Sequence, residues 1–302
     1  MFPQIRKPLP TLKPAHCSDM KSKLLTRTLV GALFIAIFLA CLSNKFAFAA
    51  AMAFVLVVIH VEYYDMSVGK GRYTAEKVLA TLTSLALLLS AFAWQIWVFD
   101  GRWLLLVCIP FFAVCAALVL DKEERGPVRK TEIILFPILY AGVSFALATM
   151  LLFDHQFQYD GRLFLSIFIL IWMSDIGAYV LGMGFGQKPD SRKLCPDISP
   201  NKSWAGVWGG LIFVAIAAVA LKFVGWLDIG WVHVAVVALL VLVAGIFGDL
   251  FESLIKRHYG VKDSGSIMPG HGGLLDRFDS ALAVLPVVTI YLKFIAYYST
   301  VG

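Results

Sequence analysis

Residues 229–250, IGWVHVAVVALLVLVAGIFGDL, form a run of Val, Leu, Ala and Ile broken by His233, with Gly248-Asp249 near the far end. A bilayer core of about 30 Å asks for about 20 apolar residues of helix, and this stretch supplies them. A helix on the surface of a soluble domain would alternate with a polar face, and no such face exists here. Working outward, eight further segments have the same character: 24–43, 44–61, 78–99, 102–120, 132–153, 163–185, 205–225 and 280–299. The reading is an all-α polytopic integral membrane protein with about nine transmembrane helices.

Composition agrees. Of 302 residues, 60% are hydrophobic and 15% charged, against roughly 45–50% apolar in a soluble domain. Mean hydropathy is +0.81. A disordered chain and a disulfide-rich secreted module are excluded. Cys17, Cys41, Cys108, Cys115 and Cys195 are scattered, and none forms a CxxC pair. Three of them lie in apolar runs, where a thiol acts as a small hydrophobe. Pro110, Pro137 and Pro286 fall inside spans, where a kink is the expected consequence.

The organisation is a tail (1–23), an N-terminal transmembrane region (24–160) and a C-terminal transmembrane region (161–302). The last carries the polar loops 186–204 and 251–279. Lys21, Lys23 and Arg27 precede a run too long for a cleaved leader, so a retained first span is expected. Placing the N-terminus in the cytoplasm puts 21 Lys and Arg on that side and leaves Lys45, Arg102, Arg162, Lys222 and Lys293 on the other. The positive-inside rule then expects a cytoplasmic N-terminus, a C-terminus on the opposite side, and both polar loops in the cytoplasm.

Acidic residues in this setting need a reason. Asp175 follows more than two apolar turns in LFLSIFILIWMSDIGAYVLG (163–182). A central charge in a bilayer costs at least about 2.5 kcal/mol, so Asp175 must lie near an interface, be neutral, be paired or line a polar cavity; a substrate or ion site is the favoured reading over a structural pair. Asp249, Glu252, Ser253 and Lys256 share one helical face at the end of the eighth span. The densest block is SLIKRHYGVKDSGSIMPGHGGLLDRFD, residues 253–279, which gathers Lys256, Arg257, Lys262, Asp263, His271, Asp276, Arg277 and Asp279 among glycines. On a helix beginning near Leu274, Asp276 and Asp279 are three apart and can face one point. Carboxylates that meet a phosphate need Mg²⁺ between them, and the basic residues can hold the phosphate oxygens. In FGQKPDSRKLCPDISPNKSWAGVWGG (185–210), Ser199, Lys202 and Ser203 precede a helix start, a natural phosphate cradle.

Other motifs fail. Gly182, Gly184 and Gly186 lack a strand-to-helix context, no GxxxxGK[ST] loop occurs, and the basic loops form no nucleic-acid platform. Their natural polyanions are phospholipid headgroups and a small phosphate-bearing substrate.

The 253–279 block resembles the signature of the phosphatidate cytidylyltransferase (CDP-diacylglycerol synthase) family. Ser253, Lys256, Arg257, Lys262, Asp263, Gly265, Pro269, His271, Gly272, Gly273, Asp276, Arg277 and Asp279 stand in the family order. The resemblance extends to Asp249, to Ser174–Tyr179 and to Ile198–Gly206, covering roughly residues 165–290. Met268 fills a Leu/Ile/Phe slot, Gln187 replaces a usual Lys, and Ala205 stands where Glu is common.

The resemblance implies the reaction of CTP with phosphatidate to give CDP-diacylglycerol and diphosphate. It implies Mg²⁺, with room for a second ion, held by Asp249, Asp276 and Asp279 with Asp263 as a further ligand or outer partner. Lys202, Lys256, Arg257, Lys262 and Arg277 would contact phosphates, as would Ser199 and Ser203, and His271 would donate to a phosphate or order the glycine-rich turn. A homodimer in a bacterial cytoplasmic membrane, with its site facing the cytoplasm, is also implied. Two other classes stay open: a CTP-dependent lipid or polyprenol kinase, which would release CDP, and a transporter.

Overall fold

A computed structural model describes residues 17–97, 111, 115, 129–154, 156–188, 190–268 and 272–296. All of the expected span 102–120 except residues 111 and 115, and the site residue His271, lie outside the described residues. Helix α1 (Cys17–Leu42) stops at Ser43, and the Asn44 side chain accepts hydrogen bonds from the Phe46 and Ala47 amides to start α2 (Lys45–Ser67). Three polar residues are thus enough to separate two apolar helices, because Asn satisfies amides the new helix would otherwise leave bare. Helix α3 (Thr74–Trp97) follows.

The next span is not one regular helix. It runs as α4 (Arg129–Pro137), a π-helical turn (Ile138–Val143), α5 (Ser144–Ala148) and a 3₁₀ turn (Thr149–Leu152). Pro137 sits at the first change of pitch, where its missing N–H removes a helical hydrogen bond. The chain continues through α6 (Arg162–Phe185), a hairpin of β1 (Lys193–Cys195) and β2 (Ser199–Ser203), then α7 (Trp204–Phe223), α8 (Trp231–His258), α9 (Leu275–Ile290) and a closing π-helical turn (Tyr291–Ala296). Loop 186–204 is therefore partly a β-hairpin within an otherwise helical protein. Helix α8 also passes Leu250, the expected end of its span, by eight residues.

Among the described residues six helices are long and apolar enough to cross a membrane: 45–67, 74–96, 131–152, 162–185, 204–223 and 231–258. The apolar part of α1, Thr28–Leu42, is shorter. The protein is a multi-pass helical membrane protein.

Two kinds of contact hold the bundle. Where α6 crosses α7, a Cβ on Gly177 would run into the Gly209 carbonyl, and one on Gly209 into the Gly177 carbonyl. Only glycine permits that approach, and in lipid close packing replaces the missing hydrophobic drive. Elsewhere aromatic rings fill the interior. Phe48 meets Phe164 at 5.0 Å, Phe164 meets Phe168 at 4.9 Å, and Phe168 meets Phe278 at 6.1 Å. These rings tie α2, α6 and α9 into one core and fix where the acidic start of α9 lies.

Candidate active site

The start of α9 is anchored by a residue far away in sequence. Glu62, on α2 and 7% exposed, accepts from the amides of Leu274 (2.9 Å) and Leu275 (2.8 Å) and from Ser264 Oγ (3.3 Å). The first amides of a helix lack internal partners, and a carboxylate satisfies both them and the positive end of the helix dipole. Nothing around Glu62 in the sequence marks it: one acid at the end of an apolar run looks like an interfacial charge.

Asp276 closes the loop from the other side. Its carboxylate accepts from the Ser264 amide (3.0 Å), the Gly273 amide (2.8 Å) and Lys256 Nζ (2.8 Å). Burial opposes its ionisation, but the hydrogen bonds from Lys256 and the Gly273 amide hold the Asp276 carboxyl below the usual carboxylate range. The same Lys256 ammonium lies 2.5 Å from Glu252, which is 1% exposed. Lys256 is thus shared by two buried carboxylates, and removing it would leave both uncompensated. Arg257 donates to the Val261 carbonyl at 2.9 Å and shapes the turn after α8.

A second carboxylate group lies beside this one. Asp249 on α8 pairs with Lys202 Nζ on β2 at 2.7 Å and accepts from Ser253 Oγ at 3.3 Å. Asp175 on α6, Asp249 and Asp279 on α9 act electrostatically on one another, and Lys202 and Arg277 act on Asp175. Asp279 also accepts from the Ser280 amide at 2.6 Å. Three helices and the hairpin therefore bring Asp175, Lys202, Asp249, Arg277 and Asp279 to one place.

The remaining expected residues are distributed differently. Ser203 is buried and caps α7, accepting from the Gly206 amide at 3.3 Å; the polar residue immediately before Trp204-Ala-Gly is the signal for that role. Ser199 begins β2, half-buried, opposite Cys195. Lys262 and Asp263 are exposed on the loop. Tyr140, from the π-helical turn, sits within electrostatic reach of Asp249, Glu252 and Asp279; no sequence signal marked it.

Could these residues hold Mg²⁺? Among the described residues no group of three or more His, Cys, Asp or Glu stands ready as a cage. Mg²⁺ rarely needs one, since it keeps waters and uses one or two carboxylates plus substrate phosphates. Asp249 and Asp279 fit that donor set. Asp276 is engaged by two amides and an ammonium.

The cytidylyltransferase family model matches residues 25–295. A phosphatidate cytidylyltransferase of Bacillus subtilis (strain 168) is 46% identical over 124 residues, 41% of this chain and 45% of that protein. One from Staphylococcus aureus (strain COL) is 40% identical over 183 residues, and one from Staphylococcus haemolyticus (strain JCSC1435) 37% over 182; each match covers 60% of this chain and 66% of the relative. The matched part of the chain thus spans less than two thirds of the length of each of these relatives.

Proposed function

Because the chain belongs to the cytidylyltransferase family, we propose that it transfers the cytidylyl group of CTP to phosphatidate, releasing diphosphate and leaving CDP-diacylglycerol in the membrane. The observation that carries this reading is the meeting of Asp175, Asp249 and Asp279 with Lys202 at one end of an apolar bundle. A phosphate oxygen of the lipid attacks the α-phosphorus of CTP. The new P–O bond forms as the bond to the β-phosphate oxygen breaks, and the electron pair leaves with diphosphate. No side-chain nucleophile is needed, because the lipid phosphate is already anionic.

The residues then have three tasks. Lys202 and Arg277 offset the repulsion between two anionic substrates. Asp249 and Asp279 would hold Mg²⁺, which when bound would supply charge neutralisation for the triphosphate and the departing diphosphate. Lys256, Asp276 and Glu62 tie Ser264, Gly273 and Leu274 to the start of α9, with Lys262 and Asp263 exposed beside Ser264. Fixed placement of this kind carries much of the acceleration when two substrates must be aligned.

The functional form is a homodimer of nine-span subunits in a bacterial cytoplasmic membrane. The N-terminus and site face the cytoplasm and the C-terminus the other side. The 21-to-5 distribution of basic residues supports this orientation. Cysteine labelling tests it: residues introduced in 186–204 and 251–279 should react from the same side, and reaction from opposite sides would overturn it.

The reaction itself is tested with the purified full chain in lipid, CTP, phosphatidate and Mg²⁺. Equal amounts of diphosphate and CDP-diacylglycerol are expected. CDP with a newly phosphorylated lipid alcohol would identify a kinase instead. Solute flux into sealed vesicles without any nucleotide turnover would identify a transporter.

A further inference from the structure

Beside the carboxylates a groove of about 580 Å³ opens between the π-helical turn, α8 and α9. Its wall is apolar: Val243, Ala244 and Phe247 on α8, Phe251 one turn further, and Val287 on α9. The volume falls in the range of about 300–1,000 Å³ that small-molecule sites occupy. At its end nearest Asp249 lie Gly248 and Tyr140. The Tyr140 hydroxyl is fully buried and has no hydrogen-bond partner among the described residues. A buried hydroxyl left without a partner is costly and uncommon.

The backbone explains how this hydroxyl comes to be there. Tyr140 lies inside the π-helical turn, a geometry that is rare and concentrated at functional sites. Ser144 Oγ, donating to the Leu282 carbonyl at 2.8 Å, fastens this span to α9. The Tyr140 ring packs against Phe136 (5.1 Å between centroids) and Phe251 (5.7 Å), so it is held at a fixed angle. At Gly248 a Cβ would come within 2.7 Å of the Asp279 carbonyl. Glycine there lets α8 and α9 close on each other, so the groove runs directly into the acidic site.

We propose that this groove seats one acyl chain of phosphatidate and that the Tyr140 hydroxyl donates a hydrogen bond to the lipid's phosphate. The proposal rests on the reaction assigned above and names the lipid-binding part of the same site. A diacyl lipid fits better than CTP because the wall is apolar along its length and its single free donor sits where wall meets carboxylates. A lipid chain gains little hydrophobic energy by moving from bilayer to groove, since both are hydrocarbon. The groove therefore sets the position and angle of the headgroup, and the hydroxyl supplies the polar contact.

The test uses the wild-type full chain in phosphatidylcholine vesicles containing a phosphatidate with a diazirine on one acyl chain. Labelling of peptides covering 240–251 or 282–287 is expected on illumination. Label confined to the separate apolar cavity around Phe34, Phe38 and Phe54, or spread evenly over all spans, would overturn the proposal. Groove labelling without formation of CDP-lipid would instead overturn the assigned reaction and leave the groove standing. In the catalytic assay, Tyr140→Phe should lower kcat/KM for phosphatidate about 10- to 100-fold, as expected for losing a hydrogen bond to a charged oxygen. Its KM for CTP should stay unchanged. Wild-type kcat/KM for phosphatidate, or an equal loss for both substrates, would contradict the hydroxyl's role. Ala244→Phe, which fills the groove, should raise the KM for a long-chain phosphatidate about tenfold and leave that for CTP alone; an unchanged lipid KM would count against the seat.

Discussion

The two polar ends of the helical bundle contain similar residues wired in different ways. At one end, Asp160 pairs with Arg162 two residues later at 2.6 Å, and Lys222 reaches Asp228 at 3.6 Å. These are neighbours in sequence, and Asp228 is 97% exposed. That end also holds a cavity of about 320 Å³, beside which His233 Nδ1 lies 2.7 Å from the Tyr291 hydroxyl. At the other end the partners come from far apart: Glu62 with Leu274 and Leu275, Lys202 with Asp249, Lys256 with Asp276. Local pairs in water hold no distant elements together and stabilise little. Long-range pairs fix helices relative to one another, and the proposed reaction needs that fixity.

The sharpest way to break this contrast is at the converging carboxylates. Asp279→Asn and Asp249→Asn should each lower turnover by more than about 100-fold, a larger loss than the 10–100-fold typical of residues that merely support a metal ligand. Steady-state assays across a Mg²⁺ series would measure it, and near-normal rates would remove these residues from the site. The protein should remain folded, because neither carboxylate is a main anchor of the loop.

Glu62→Ala should act in the opposite sense. It leaves two buried amides at the start of α9 without a partner, at about 1–3 kcal/mol each. A loss of about 3 kcal/mol is expected, read as a lower thermal midpoint in detergent, with activity falling only as the loop loosens. An unchanged midpoint would show that the α9 amides find another acceptor.

At the far end the expected effect is smallest. Arg162→Ala removes an exposed ion pair whose arginine side chain is 62% exposed. Neither the midpoint nor turnover should change measurably. A clear loss of activity would mean that the far end takes part in the reaction.

How much of this was legible in the sequence follows the same division. Six of the spans among the described residues could be placed because lipid demands continuous apolar runs, and the run at 229–250 marks α8 without any knowledge of its neighbours. Its true end, His258, was hidden. Helical spacing carries the helix as far as Lys256, but the charge of Phe251–His258 blurs where it stops; within the fold Lys256 is neutralised by Glu252 and Asp276. The cluster at 249–279 was legible because its acids and bases are close in sequence. Glu62 was not, since its partners lie more than 200 residues away, and Tyr140 was not, since a π-helical turn leaves no periodic trace. Spacing places Asp276 beside Asp279 as a second candidate ligand, while the Lys256 ammonium and two amides that reach it are visible only in three dimensions.

That separation of Asp276 from Asp279 is the point most open to direct measurement. Binding of Mn²⁺ as a stand-in for Mg²⁺ can be followed by electron paramagnetic resonance with CTP present, in the full chain and in the two single variants. Asp279→Asn should lose the bound ion, whereas Asp276→Asn should retain it even if its loop is less stable. Retention of the ion in Asp279→Asn together with its loss in Asp276→Asn would contradict the division of labour between the two carboxylates.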